Sequence, residues 1–215
     1  MTRVIGLLGG TFDPIHHGHL RLALECAVMV GFAQTHLIPA HLPPLRPPPI
    51  ASAAQRLRMA ELATAGEDNL CANPIEVARA GPSYTVDTLT ALRREAAADS
   101  LCLILGQDAF LKLRAWRHWE QILDLAHLVI AARPGQGDTV ADPVLRQLQE
   151  RHGVTDAAAL RHQAAGCILS IVIPALDISA TRIRQSIATG RSVRFLMPEP
   201  VIQFIQQEAL YRNPT

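Results

Sequence analysis

The chain has 215 residues, 49% of them apolar and 18% charged, which is enough apolar material for a packed core and rules out a disordered chain. Its 20 basic and 19 acidic residues nearly cancel, so no general electrostatic pull toward nucleic acid or an acidic membrane surface is expected. Any anion must be held by a local site, and with Lys112 the lone lysine, the cations on offer are arginine forks suited to phosphate or carboxylate. Cys26, Cys71, Cys102 and Cys167 lie far apart with no CxxC pair, and read as reduced, mostly buried thiols of a cytoplasmic protein. The start of the chain lacks signal-peptide features, and no apolar run approaches the ~18 residues of a membrane span.

In chain order, short aliphatic runs at Val4–Leu8, Thr35–Pro39, Leu101–Leu105, Leu128–Ala132 and Ile168–Ile173 predict strands. Their near-continuous apolar character suits a parallel sheet covered on both faces. Segments with helical spacing fall between and after them, at about His16–Val30, Ala53–Ala65, Thr85–Ala98, Trp119–Asp124, Pro143–His152, Ser179–Thr189 and Glu199–Glu208. This alternation predicts an α/β fold, a doubly wound, mostly parallel sheet with helices on both faces. The run from Pro43 to Pro49 cannot be a helix or an inner strand, and predicts an extended surface loop that is mobile without ligand. Pro134–Asp138 and Thr155–Gly166 read as surface connections, not linkers, so residues 1–215 are expected to form one domain.

The first strand runs directly into Gly9-Gly10-Thr11-Phe12-Asp13-Pro14-Ile15-His16-His17-Gly18-His19. Two glycines at a strand end allow a tight turn and let a ligand reach bare backbone. Asp13-Pro14 then predicts a helix N-cap and first helical position, which puts His16 and His19 on one face of the first turn, beside free N–H groups and the positive dipole end that attract phosphate. Gly18 costs about 1 kcal/mol against Ala inside a helix, so something is expected to come close to the backbone there. The histidines have no acidic partner or fourth ligand at usable spacing, so no protein-built metal site is expected. A second helix start, Asp177-Ile178-Ser179-Ala180-Thr181-Arg182-Ile183-Arg184, follows the last strand, and in an open parallel sheet two such starts converge at the carboxyl edge.

Together these segments resemble the HxGH and ISSTxIR signatures of the nucleotidyltransferase superfamily with a Rossmann-like core. Gly81-Pro82-Ser83-Tyr84-Thr85-Val86-Asp87-Thr88-Leu89, Gly106-Gln107-Asp108 and Trp116-Arg117-His118-Trp119 are similar to the PSYTxDTL, GxD and WxxW segments of the bacterial nicotinate-nucleotide adenylyltransferases. The resemblance implies a reaction of ATP, with Mg²⁺, and nicotinate mononucleotide. His16, His19 and Arg184 would act on the transferred phosphoryl group and flanking phosphates. Gly9, Gly10, Thr11, Phe12, Gly18, Gly106, Asp108, Ile178, Ser179 and Thr181 would bind ATP. Ser83, Tyr84 and Thr85 would receive the nicotinate carboxylate, Trp116 would stack on the pyridine ring, and Arg46 and Arg133 would contact the substrate, while Trp119 reads as a packing aromatic.

Two departures stand out. Ala180 replaces the second Ser of ISSTxIR, and Pro44-Leu45-Arg46 keeps only the cation of a His-then-Lys/Arg pair common in relatives. The C-terminal part, about 177–215, carries the second motif. Small-molecule substrates are expected as partners, with no nucleic acid and no membrane, and self-association stays open. Nicotinamide mononucleotide or another phosphorylated acceptor remains an alternative, as does a non-catalytic nucleotide sensor of the same fold.

Overall fold

The structure, a computed structural model, describes residues 3–134, 140–174 and 176–212. The first half runs β1 (Val4–Gly10), α1 (His17–Val30), β2 (Gln34–Pro39), α2 (Ala53–Thr64), β3 (Leu70–Ala72), α3 (Ile75–Arg79), α4 (Thr85–Glu95) and β4 (Ser100–Gly106). The second runs α5 (Gln107–Phe110), α6 (Ile122–Leu125), β5 (His127–Ala132), α7 (Pro143–His152), β6 (Gly153–Val154), β7 (Ile168–Val172), α8 (Ala180–Ala188) and α9 (Glu199–Gln207). Among the described residues the strands form one seven-stranded sheet in the order β3-β2-β1-β4-β5-β7-β6, and every named pair is parallel.

The central strands β1, β4 and β5 bury both faces, with side chains alternating across the pleat. Val4, Leu8, Cys102, Ile104, Val129, Ala131, Leu169 and Ile171 join one core with Leu20, Ala23 and Cys26 of α1, Met59 and Ala60 of α2, Ile183 of α8 and Val201 and Ile205 of α9. Ile5, Leu7, Leu101, Leu103, Leu105, Leu128, Ile130 and Ile168 join the other with Leu89 and Leu92 of α4, Ile122 and Leu145. That is why the strands read as unbroken apolar runs, and the doubly wound expectation holds. The cysteines are free; burial pushes the thiols of Cys26 and Cys102 up to about 12, leaving them inert.

Several local expectations are corrected. Asp13-Pro14 does not start α1: His16 is the N-cap and His17 the first helical residue. Helix α4 stops at Glu95, not Ala98, where Arg93 donates to the carbonyls of Ala96 (3.2 Å) and Asp99 (2.6 Å) and turns the chain into β4. Thr155–Gly166 is more than a surface connection: Leu160 is fully buried, its carbonyl accepts from Ser100 Oγ at 2.7 Å, and Ala164 O accepts from Leu101 N at 3.3 Å. Gly135–Asp138 of the other expected connection lie outside the described residues. No helix among the described residues is long and apolar enough to cross a membrane.

Because all strands run the same way, β1, β4, β5 and β7 deliver their C-terminal ends to one edge. Consecutive elements leave from β1 in one direction and from β4 in the other, so the crevice between Gly9-Gly10 and Gly106 is the topological switch point where open α/β sheets bind ligands.

Candidate active site

At this edge the two glycines that end β1 do different jobs. A Cβ on Gly9 would meet nothing within 4 Å, and the same is true of Gly106 across the switch point, so backbone is open to a ligand at both. A Cβ on Gly10 would strike the Phe12 ring at 2.6 Å; Phe12 itself is buried, with a left-handed φ of 50°. Gly10 is thus required by packing.

His16 and His19 come together as the sequence predicts, through capping instead of one helix face. Their rings stack with centroids 3.7 Å apart, and Phe12 packs edge-on to His19 at 5.0 Å. The backbone N–H of His16 donates to His19 Nδ1 at 3.3 Å. A main-chain N–H can only donate, so neutral His19 carries its proton on Nε2 and presents a donor there. His16 is buried, and its Nδ1 has no hydrogen-bond partner. Burial first, then the charge of His17, pulls the His16 pKa down to about 4; burial, His16 and the Arg46 charge hold His19 well below its ordinary value. Both rings are therefore neutral at pH 7.

The close neighbour that Gly18 implies is the protein itself: a Cβ there would sit 3.0 Å from the His16 ring and 3.6 Å from Ile178 Cβ. That second contact places the segment before α8 against the start of α1. The N–H of His17 is taken by Leu196 O at 2.9 Å, and those of His19 and Leu20 by His16 O, leaving Gly18 N–H without a protein acceptor among the described residues. Ser179 is the N-cap residue of α8, although its hydroxyl makes no cap hydrogen bond, and Thr181 is exposed beside it. Arg184 donates from Nη1 to Asp13 O at 2.6 Å and from Nη2 to Thr181 Oγ1 at 3.4 Å.

On the other side of β1, the proline-rich loop is anchored at both ends. His41 N donates to Ser83 Oγ (2.8 Å) and Ser83 N to Leu42 O (2.9 Å), so Ser83 ties the loop entry to the start of α4. At its exit, Ile50 N and Ala51 N donate to the Asp13 carboxylate at 2.9 and 3.1 Å. Arg46 lies exposed between these anchors. Tyr84 is the N-cap of α4, and its N–H and those of Thr85 and Val86 have no acceptor among the described residues. Trp116 and Trp119 are half-buried against the core beneath α4 and α6, which fits the packing role expected of Trp119. Asp108 is exposed in the first turn of α5, and Arg133 lies 3.4 Å from Asp177, an exposed ion pair where ligand contact was expected.

Three residues escaped sequence reasoning. Asp13 is a hub; Arg56 is fully buried and donates to the carbonyls of Thr11, Ala40, His41 and Ala51; Tyr211 reaches Asp13 from the end of the chain. For Arg56 a signal existed, since it falls on the buried stripe of α2 with Met59, Ala60 and Ala63. Arg117, within the Trp116–Trp119 segment, places its guanidinium 4.7 Å from the Tyr84 ring centroid, which adds positive charge at the start of α4.

Two helix starts converge on the switch point of a parallel sheet, with neutral imidazoles, open glycine backbone and arginine forks, groups whose chemistry suits phosphate. The chain belongs to the cytidylyltransferase-like family, whose model matches residues 7–186. Within it the chain belongs with the nicotinate-nucleotide adenylyltransferases. It is 47% identical over 208 residues to a probable nicotinate-nucleotide adenylyltransferase of Acidithiobacillus ferrooxidans, covering 97% of this chain and 95% of that one. It is 46% identical over 212 residues to another of Halorhodospira halophila, covering 99% and 97%. In fold it is similar to a Plasmodium falciparum nicotinic acid mononucleotide adenylyltransferase solved with NaAD, at TM-score 0.72, 15% identity and 97% coverage of both chains.

Proposed function

We propose that the protein transfers the adenylyl group of ATP to nicotinate mononucleotide, giving nicotinate adenine dinucleotide and pyrophosphate. The observation that carries this reading is the neutral, stacked His16–His19 pair at the start of α1, with a buried and unpartnered Nδ1 on His16. A buried polar atom left unmade is costly, and its position beside Gly18 fits a phosphate oxygen held at the start of α1.

In this mechanism a 5′-phosphate oxygen of the mononucleotide attacks the α-phosphorus of ATP in line. The new P–O bond forms as the bond from the α-phosphorus to the β-phosphate oxygen breaks, and the electron pair leaves with pyrophosphate. No protein nucleophile is needed. The chain's residues position the reactants and stabilise developing charge: His19 Nε2–H and Gly18 N–H donate to the transferred group, while Arg184 and Arg46 hold flanking phosphates. Thr11, Phe12, Ile178, Ser179, Thr181 and Asp108 would line the ATP side, with Gly9, Gly10 and Gly106 giving it room. ATP would arrive as its Mg²⁺ complex, the ion easing departure of pyrophosphate. No group of three or more His, Cys, Asp or Glu suited to a metal occurs among the described residues, so phosphates and water would supply the oxygen ligands Mg²⁺ prefers.

The free N–H groups of Tyr84, Thr85 and Val86 suit a carboxylate at the start of α4, with Trp116 beside the pyridine ring and Arg133 near the phosphate end. We read the chain as one nucleotidyltransferase unit, supported by the single sheet and by α9 packing onto α2. Pyrophosphate release tests the reading: it should require ATP, Mg²⁺ and nicotinate mononucleotide together. Binding of ATP without release would mean a sensor.

A further inference from the structure

The Asp13 carboxylate is the meeting point of four segments far apart in sequence. It accepts from Ile50 N and Ala51 N at the loop exit and from Tyr211 Oη at 2.7 Å, while Arg184 Nη1 lies 3.9 Å from its other oxygen and donates to its main-chain carbonyl. Tyr211 is buried, yet it follows the last helix by only a short turn. The chain gets there by placing two non-glycine residues in the left-handed region, Ala209 at φ 50° and Tyr211 at φ 63°. Such a conformation is unfavourable for a side-chain-bearing residue and persists only where surrounding contacts hold it. Here they are the burial of Tyr211 in the core that α2 and α9 also line and its hydrogen bond to a buried carboxylate.

We propose that Tyr211, acting through Asp13, is a positioning residue for adenylyl transfer: it fixes the residue whose main-chain carbonyl takes Arg184 and whose carboxylate pins the exit of the Arg46 loop, so both phosphate-binding cations are held in register with His16 and His19. The inference rests on the phosphate roles given above to Arg184 and Arg46. Its physical content is that the Asp13 side chain must stay fixed in place. Two main-chain N–H groups and one phenol donate to its two oxygens, and the Arg184 guanidinium lies 3.9 Å from Oδ2. Losing the phenol frees the carboxylate to rotate, which loosens its hold on Ile50 and Ala51 and its contact with Arg184.

Tyr211→Phe keeps the ring and removes the donor. Three measurements decide. First, amide exchange in the resting protein should speed up locally at Ile50 and Ala51; a uniform increase across the β-sheet, or no change, overturns the proposal. Second, kcat/KM for ATP should fall roughly tenfold, the size of one charge-assisted hydrogen bond. Third, in an Arg46→Ala/Arg184→Ala background the same substitution should change kcat/KM by less than about twofold, because both cations through which it acts are gone; an equal loss in both backgrounds means a merely structural tyrosine. If Tyr211→Phe does not fold, Asp13→Asn replaces it: the amide keeps one acceptor but turns a donor toward Ile50 N, so Ile50 should exchange faster than Ala51. Absence of pyrophosphate release by the unsubstituted protein would sink the adenylyl-transfer reading, while the exchange measurement would still decide whether Tyr211 anchors the loop.

Discussion

The corner between β1 and α1 and the loop over residues 41–49 serve the same candidate site in opposite ways. At the corner every group is held: His16 and Asp13 are buried, Arg56 donates to four carbonyls, and the rings of Phe12, His16 and His19 pack on one another. The loop is held near its two ends, by Ser83, Gly81 and Arg56 at the entry and by Asp13 at the exit, and its cation stands in solvent. A fixed corner can stabilise charge that exists only in the transition state, because its dipoles need no reorganisation. An exposed arginine contributes binding energy to bound and reacting phosphate alike. The corner should govern kcat and the loop should govern KM.

The sharpest way to break this division is His19→Ala, which removes the oriented Nε2–H donor. Steady-state kinetics should show kcat down by about 10²–10³, with KM for ATP changed only a few-fold. A kcat within about threefold of the unsubstituted protein would move His19 to a structural role.

Acid stability tests the other histidine of the corner. His16 stays neutral in the folded state down to about pH 4, whereas the unfolded chain takes up that proton near 6.5. Its contribution is therefore complete above pH 6.5 and is lost as the pH falls toward 4. The loss is about 1.4 kcal/mol per pH unit, roughly 3 kcal/mol over the window. Denaturant unfolding at pH 7 and pH 5 should show a shallower loss for His16→Gln, and identical slopes would refute the burial of a neutral imidazole.

A smaller effect is expected at the loop. Arg46→Ala should raise KM for a nucleotide substrate by about tenfold with little change in kcat, and Arg46→Lys should recover part of it, since an ammonium cannot match two phosphate oxygens at once. A fall in kcat alone would place the loop with the corner, and unchanged kinetics would leave Arg46 in solvent.

Much of this architecture is legible in the sequence because parallel strands buried on both faces advertise themselves as apolar runs, and five of them are long enough to stand out. The three-residue β3 and two-residue β6 are not, since their pairing comes from neighbours and not from their own pattern. Asp13-Pro14 shows how a local rule fails. The pair has the chemistry of a helix start, but its carboxylate is claimed by Ile50, Ala51 and Tyr211, at separations of 37, 38 and 198 residues, and the helix begins at His17 instead. Gly18 shows a correct inference with a different cause, since the group crowding it is the His16 ring.

The central claim is the identity of the acceptor, and a direct comparison of nicotinate and nicotinamide mononucleotides, each with saturating ATP and Mg²⁺, tests it most directly. The N–H groups of Tyr84, Thr85 and Val86 offer donors and a positive dipole end to a carboxylate, while a carboxamide turns its own NH₂ toward them and forfeits a charge-assisted bond of roughly 1.5–3 kcal/mol. With partner groups then left poorly paired, kcat/KM should favour the nicotinate nucleotide by at least about 10²-fold. Equal efficiencies, or a preference for the amide, would contradict the account at the start of α4 and leave the chemistry at the histidine corner standing.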